Sequence, residues 1–143
     1  MRRMKQTESR VVQLRSGAFI RKKALVEGLR AGLFLAACWL VFAVLGLTPS
    51  LRWIPEIPLL SISGVVPIAI LGVAGYRAAR ATRQILAGLV SGAVAGAIGG
   101  AASGAAYVAY GKPALNIAIG LAFGLGGGVV MGAIGAAAAR RRS

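Results

Sequence analysis

Gly88-Leu-Val-Ser-Gly-Ala-Val-Ala-Gly-Ala-Ile-Gly-Gly-Ala-Ala-Ser-Gly104 decides how the rest of the chain is read. Glycine recurs at every fourth position, Gly88, Gly92, Gly96, Gly100 and Gly104, within a run that carries no charge from Gln84 to Gly111. A second uncharged run follows, with glycines at Gly120, Gly124, Gly128 and Gly132. Each run is about 27 residues long, more than the roughly 20 apolar residues that carry a helix across a bilayer. Small residues four apart form a ridge along one helix face and let two backbones approach closely. The two ridges therefore mark the helix-packing interface. The turn Gly111-Lys112-Pro113 between the runs predicts an antiparallel hairpin whose ridges meet each other.

Working outward, the pattern repeats in weaker form. The expected fold is an all-α membrane protein of four transmembrane helices, at about 29–47, 57–76, 84–110 and 114–139. The last two have glycine-zipper packing, and a basic amphipathic N-terminal arm precedes the first. This divides the chain into an arm at 1–28, a membrane domain at 29–139 and a basic tail at 140–143. Composition agrees: 57% of the 143 residues are hydrophobic and 14% charged, with mean hydropathy +0.76. That is more apolar than an ordinary soluble domain.

Charge placement predicts orientation. Of 17 basic residues, nine lie in the first 30, three are Arg77, Arg80 and Arg83, and three are Arg140, Arg141 and Arg142. Only Arg52 and Lys112 fall in the loops between these groups. Fifteen basic residues on one side of a four-span chain and two on the other predict cytoplasmic termini, because cytoplasmic loops collect Lys and Arg. This distribution also argues against nucleic-acid binding, which a net charge of +14 would suggest in a soluble protein. The expected partners of the basic groups are anionic lipid headgroups, contacted by Arg15, Arg21, Lys22, Lys23, Arg77, Arg80 and Arg83. Thirteen arginines against four lysines suggest a bacterial source and hence an inner, plasma-membrane location.

In the arm, Val11, Leu14, Ala18, Leu25 and Leu29 share one helical face, so an interfacial helix from about residue 9 is expected. Arg15 and Lys22 interrupt that face and suit it to a headgroup layer. A topogenic leader is the alternative reading. The Leu35-Ala-Ala-Cys38 sequence imitates a lipoprotein cleavage box, but too few apolar residues precede it for a signal peptide. Cys38 reads instead as a small buried hydrophobe. Gly28, Gly32 and Ala36 begin a packing ridge in the first span. Pro49, Pro55 and Pro58 confine residues 48–57 to a stiff external turn, and Pro67 is expected to bend the second span.

On the third span, Leu86, Val90, Val94 and Ile98 stand opposite the glycines and are expected to face lipid. Tyr107 and Tyr110 are expected at the outer interface. On the fourth, Gly126-Gly127-Gly128 reads as close packing or, alternatively, as a helix break that exposes carbonyls to an ion. Asn116 reads as a cap or an interhelical hydrogen bond.

The chain has no His, no Asp and three glutamates, Glu8, Glu27 and Glu56, none deep in a span. No metal cluster, catalytic triad, carboxylate pair or cofactor motif can be assembled from that set, so no enzyme activity and no cofactor are expected. Glu27, among Lys22, Lys23 and Arg30, reads as a member of a surface ion pair. The functional expectation is a small integral interaction protein, a structural or assembly subunit of a larger membrane complex or of a homo-oligomer, packed against its partners through the exposed Gly-xxx-Gly ridges. An oligomeric holin-like pore or a small carrier is the alternative.

Overall fold

The computed structural model describes the backbone of residues 2–47 and 56–141, and the side chains of 17–47 and 64–141. The described elements are four α-helices: α1 Arg2–Leu47, α2 Glu56–Thr82, α3 Ile85–Ala109 and α4 Leu115–Arg140. Three of them, α1 from Gly17 onward, α3 and α4, are long and apolar enough to cross a membrane. The described elements are thus all helical, and the length and apolar composition of three of them are those of a membrane protein. Of the external turn expected at 48–57, residues 48–55 lie outside the described residues, and Glu56 and Ile57 already belong to α2.

Boundaries differ from expectation in two places. The first helix is unbroken for 46 residues and passes through the expected edge of the arm near residue 28. The second does not end at Tyr76 but continues to Thr82, so Arg77 and Arg80 sit on a helix rather than in a loop. Arg-Ala-Ala-Arg-Ala contains only strong helix formers, and no Gly or Pro interrupts it. The helix stops where Arg83 takes a left-handed backbone, φ 56°, and Gln84 turns extended, φ −125° and ψ 129°. Thr82 Oγ1 donates to the Ala78 carbonyl at 2.8 Å and occupies one of the terminal acceptors.

The α3–α4 connection is built by glycine. Gly111, at φ 79°, follows α3. Its N–H donates to Val108 O at 2.9 Å, and the Lys112 N–H donates to Tyr107 O at 3.1 Å. This is the paired hydrogen bonding of a Schellman cap, with Pro113 beyond it preventing further helix. Asn116 Nδ2 donates to Pro113 O at 2.9 Å and holds the start of α4. The helix then runs without interruption through Gly126-Gly127-Gly128, so the expected alternative of a break is not what the backbone adopts.

Neighbouring contacts define the bundle. Ser91 and Gly99 of α3 lie against Gly28 and Leu35 of α1, so these two helices run parallel. Gly75 of α2 meets Gly132 of α4, the Tyr76 backbone meets Gly135, and Ala79 packs with Ala136 and Ala139, so α2 and α4 are also parallel. Consecutive helices are antiparallel. Among the described residues α2 and α3 each touch all three other helices, whereas α1 and α4 do not touch each other.

Small side chains fill the interior. The buried apolar set among the described residues is ten alanines with Leu35 and Leu71. Large apolar residues such as Phe34, Leu40, Leu86, Phe123 and Ile134 point outward, the inverse of a soluble domain and the arrangement that suits a lipid solvent. The expectation that the whole row Leu86, Val90, Val94 and Ile98 faces lipid needs correction. Leu86 is exposed. Val90 packs against the Ala24–Ala78–Ala87 cluster, and Val94 and Ile98 cover Gly28 and Gly32 of α1. The face of α3 opposite its glycine ridge is thus taken up largely by α1 rather than left to lipid.

Candidate functional site

Two groups of residues singled out in the sequence occupy different parts of the bundle. The glycines come first. An added Cβ on Gly92 would fall on the Gly128 carbonyl oxygen, and one on Gly128 would fall on the Gly92 carbonyl oxygen. Gly96 with Gly124 and Gly100 with Gly120 repeat this reciprocal relation. Gly104 faces the backbone of Asn116 and Ile117. At the other end an added Cβ on Gly88 would lie 2.6 Å from Ala136 Cβ and 2.9 Å from Gly75 O. Gly132 completes the row against Gly88 and Gly92. Each glycine thus puts a bare Cα opposite a carbonyl of the facing helix, the placement in which weak Cα–H···O contacts form.

Further close approaches lie outside the two ridges. An added Cβ on Gly75 would lie 2.6 Å from Gly132 Cα, and one on Gly135 would meet Gly72 O. On α1, the same operation at Gly28 gives 2.7 Å to Ser91 O, and at Gly32 gives 2.9 Å to Ile98 Cβ. The α2 glycines were missed in the sequence because two glycines three apart do not make a ridge. By contrast, Gly126 and Gly127 have open space where a Cβ would be, and only Gly128 of that triplet packs.

Polar side chains inside the bundle are few, and each has a partner. Ser91, fully buried on α3, donates its hydroxyl to Ala74 O of α2 at 3.3 Å. Tyr110, at the α3 C-cap, reaches α1 and donates to Phe42 O or Ala43 O, at 3.0 and 3.1 Å. Gly46 leaves the space for that hydroxyl, since an added Cβ there would collide with it.

Glu27 is the larger surprise. It is buried, 7% exposed, where a surface pair was expected. Its Oε2 lies 3.5 Å from Arg77 Nε on α2, and its Oε1 lies 4.0 Å from Arg30 Nη1 one turn along α1. The reason is the extension of α2, which brings Arg77 across from Glu27. A reading that put Arg77 in a loop had no way to pair them. Neither a protein-family model nor a curated protein nor a solved structure matches the chain.

The basic residues gather at one end of the bundle. Arg77 joins α1 to α2, and Arg80 Nη1 donates to the Tyr76 hydroxyl at 3.3 Å with its guanidinium 6.0 Å from the ring centre. Arg83 forms the α2–α3 turn, and Arg140 closes α4 at the same end. Arg21 and Lys22 are exposed on α1, and Lys23 is half-buried. The Arg15 side chain lies outside the described residues. Lys112 occupies the turn at the opposite end.

Proposed function

We propose that the protein is a four-span integral membrane interaction protein, a structural or assembly subunit of a larger membrane complex or of its own oligomer. In this reading α2 is the fourth span, the two glycine rows form a zipper, and the basic end lies at an anionic cytoplasmic leaflet. The observation that carries it is the division of labour between the inner and outer faces. The glycine rows, expected to be the surface that meets partners, instead meet each other and hold the bundle together, so contact with a partner falls to the outer faces, and the buried Glu27 and Ser91 have partners within the chain.

Two features support contact with something beyond the bundle. Large apolar side chains cover the outer surface of α1 and α4, including Leu33, Leu40, Val41, Phe123 and Val130. Also, α1 has 46 residues where the next longest helix has 27. The sequence of the N-terminal stretch carries Arg2, Arg3, Lys5, Arg10 and Arg15, a density of positive charge that suits an acidic surface in this reading.

Purification of the full chain from its native membrane in mild detergent, followed by mass analysis, tests this reading. A stoichiometric partner or a defined oligomer is expected. A chain that emerges alone and monomeric, and makes cells or vesicles leak ions, overturns it in favour of a pore. Orientation has its own test: reporters inserted between Arg83 and Gln84 and after Ser143 should both read as cytoplasmic, and one at Ser50 as external.

A further inference from the structure

The groove between α1 and α2 holds a cavity of about 330 Å³. Glu27, Arg30 and Phe34 line it from α1, and Ile70, Val73 and Arg77 from α2, each set at the three- and four-residue spacing of one helix face. The ionic members meet at one end. Arg77 Nε lies 3.5 Å from Glu27 Oε2, and Arg30 Nη1 lies 4.0 Å from Glu27 Oε1, so a single carboxylate holds two guanidiniums at the mouth of the groove. Glu27 itself is buried, whereas the Arg30 and Arg77 side chains are 71% and 63% exposed. A guanidinium is a fork of five N–H donors, and Glu27 approaches one nitrogen of each. The remaining nitrogens can serve a second acceptor, and such contacts to phosphate are charge-assisted and bidentate.

Charge selects the ligand. Two guanidiniums less one carboxylate leave one positive charge, which a single phosphodiester neutralises and a cation would aggravate. The apolar wall selects further. From Glu27 to Phe34 the groove runs about 10 Å away from its ionic end, at 1.5 Å per residue. Phe34 and Val73 are 59% and 54% exposed, so the groove opens on the outer surface of the bundle, where an acyl chain can lie along it. A soluble anion would use the ionic end and leave this wall idle. We infer that the groove binds a phospholipid of one net negative charge, its phosphate on Arg30 and Arg77 and one chain along Phe34, Ile70 and Val73. Basic pockets between helices at the cytoplasmic side suit anionic headgroups. Glu27 is the positioning residue: it holds both guanidiniums at the mouth and sets the charge that the ligand must match. The inference rests on the membrane reading above and narrows its diffuse electrostatic attraction to one site.

The test uses the full-length protein in neutral detergent, titrated with phosphatidylglycerol, phosphatidylcholine or diphosphatidylglycerol and followed by native mass spectrometry. Phosphatidylglycerol should bind more tightly than phosphatidylcholine. Arg30→Gln should weaken phosphatidylglycerol about fivefold, the worth of one basic group near a headgroup. Arg21→Gln removes an exposed charge of the same helix outside the groove and should change binding less than about twofold. Val73→Trp fills the exposed wall without altering charge and should weaken the lipid several-fold. Glu27→Gln leaves two positive charges and should shift the preference toward diphosphatidylglycerol over phosphatidylglycerol by about fivefold; a merely structural carboxylate would weaken both lipids alike. Equal binding of phosphatidylcholine by the wild-type protein, or a loss in Arg21→Gln as large as in Arg30→Gln, overturns the site. Full affinity in Val73→Trp, or displacement by soluble glycerol 3-phosphate as effective as by the lipid, overturns the lipid assignment. The wild-type comparisons stand even if a variant does not fold. Because these measurements need neither a bilayer nor a partner, they fail independently of the reporter and co-purification tests.

Discussion

The α3–α4 seam and the α1–α2 seam join antiparallel neighbours in opposite ways. Along α3–α4, Gly92, Gly96 and Gly100 meet Gly128, Gly124 and Gly120 with backbone against backbone and no side chain between. Along α1–α2, side chains keep the helices apart. Leu35 and Leu71 share one cluster, Glu27 pairs with Arg77, and a cavity of about 330 Å³ remains beside Phe34, Ile70 and Val73. Without a hydrophobic drive between helices in lipid, association rests on packing and polar contacts. One seam relies almost wholly on the first, and the other draws on both. Tolerance to substitution should therefore differ sharply between them.

The largest expected effect is at the tight seam. Gly96→Leu places a branched side chain on the Gly124 carbonyl and should destabilise the folded protein in detergent by about 3 kcal/mol or more, as severe overpacking does. Gly127→Leu, on the next helix but facing open space, should stay within about 0.5 kcal/mol. Equal losses at the two positions in a denaturation titration would break the comparison, because leucine favours a helix over glycine at both sites and contact with the facing helix would then not account for the loss at either.

A smaller effect is expected at the loose seam. Glu27→Gln removes the buried carboxylate and should cost about 1–2 kcal/mol, less than a fully buried pair because Arg77 remains in reach of water. A double-mutant cycle with Arg77→Gln should recover roughly 1 kcal/mol of coupling. Strict additivity would mean that the pair does not hold α1 to α2. The smallest effect belongs to Tyr110→Phe, which removes the hydroxyl bond to α1 at the exposed end. About 0.5–1 kcal/mol is expected from one such bond, read as a lowered melting temperature with unchanged helix content. A loss as large as that of Gly96→Leu would show that the tyrosine and not the glycine row governs the bundle.

How far the site was legible follows the same division. The four-residue glycine period is a local property, and it pointed directly to the surface where α3 and α4 meet. The basic groups are local too, and their positions along the chain carry them to one end of any up-and-down bundle. The pairing of Glu27 with Arg77 was hidden because it depends on where α2 ends, which in turn depends on Arg83 accepting a left-handed backbone. That Arg80, Arg83 and Arg140, up to 60 positions apart, line one cavity where α2 and α4 end and α3 starts was hidden for the same reason.

The sequence by itself determined that this is an apolar helical protein with close-packing helices and a strongly basic side, because uncharged run length, glycine spacing and the order of charges are read residue by residue. Tertiary structure alone decided which helix each face meets. The row Leu86, Val90, Val94 and Ile98 has one periodicity, yet only Leu86 is turned outward, while Val94 and Ile98 cover glycines of α1. Gly126, Gly127 and Gly128 are chemically identical, and only the last touches a neighbour. Spacing defines a face of a helix, but which partner covers that face is a property of all four helices packed together.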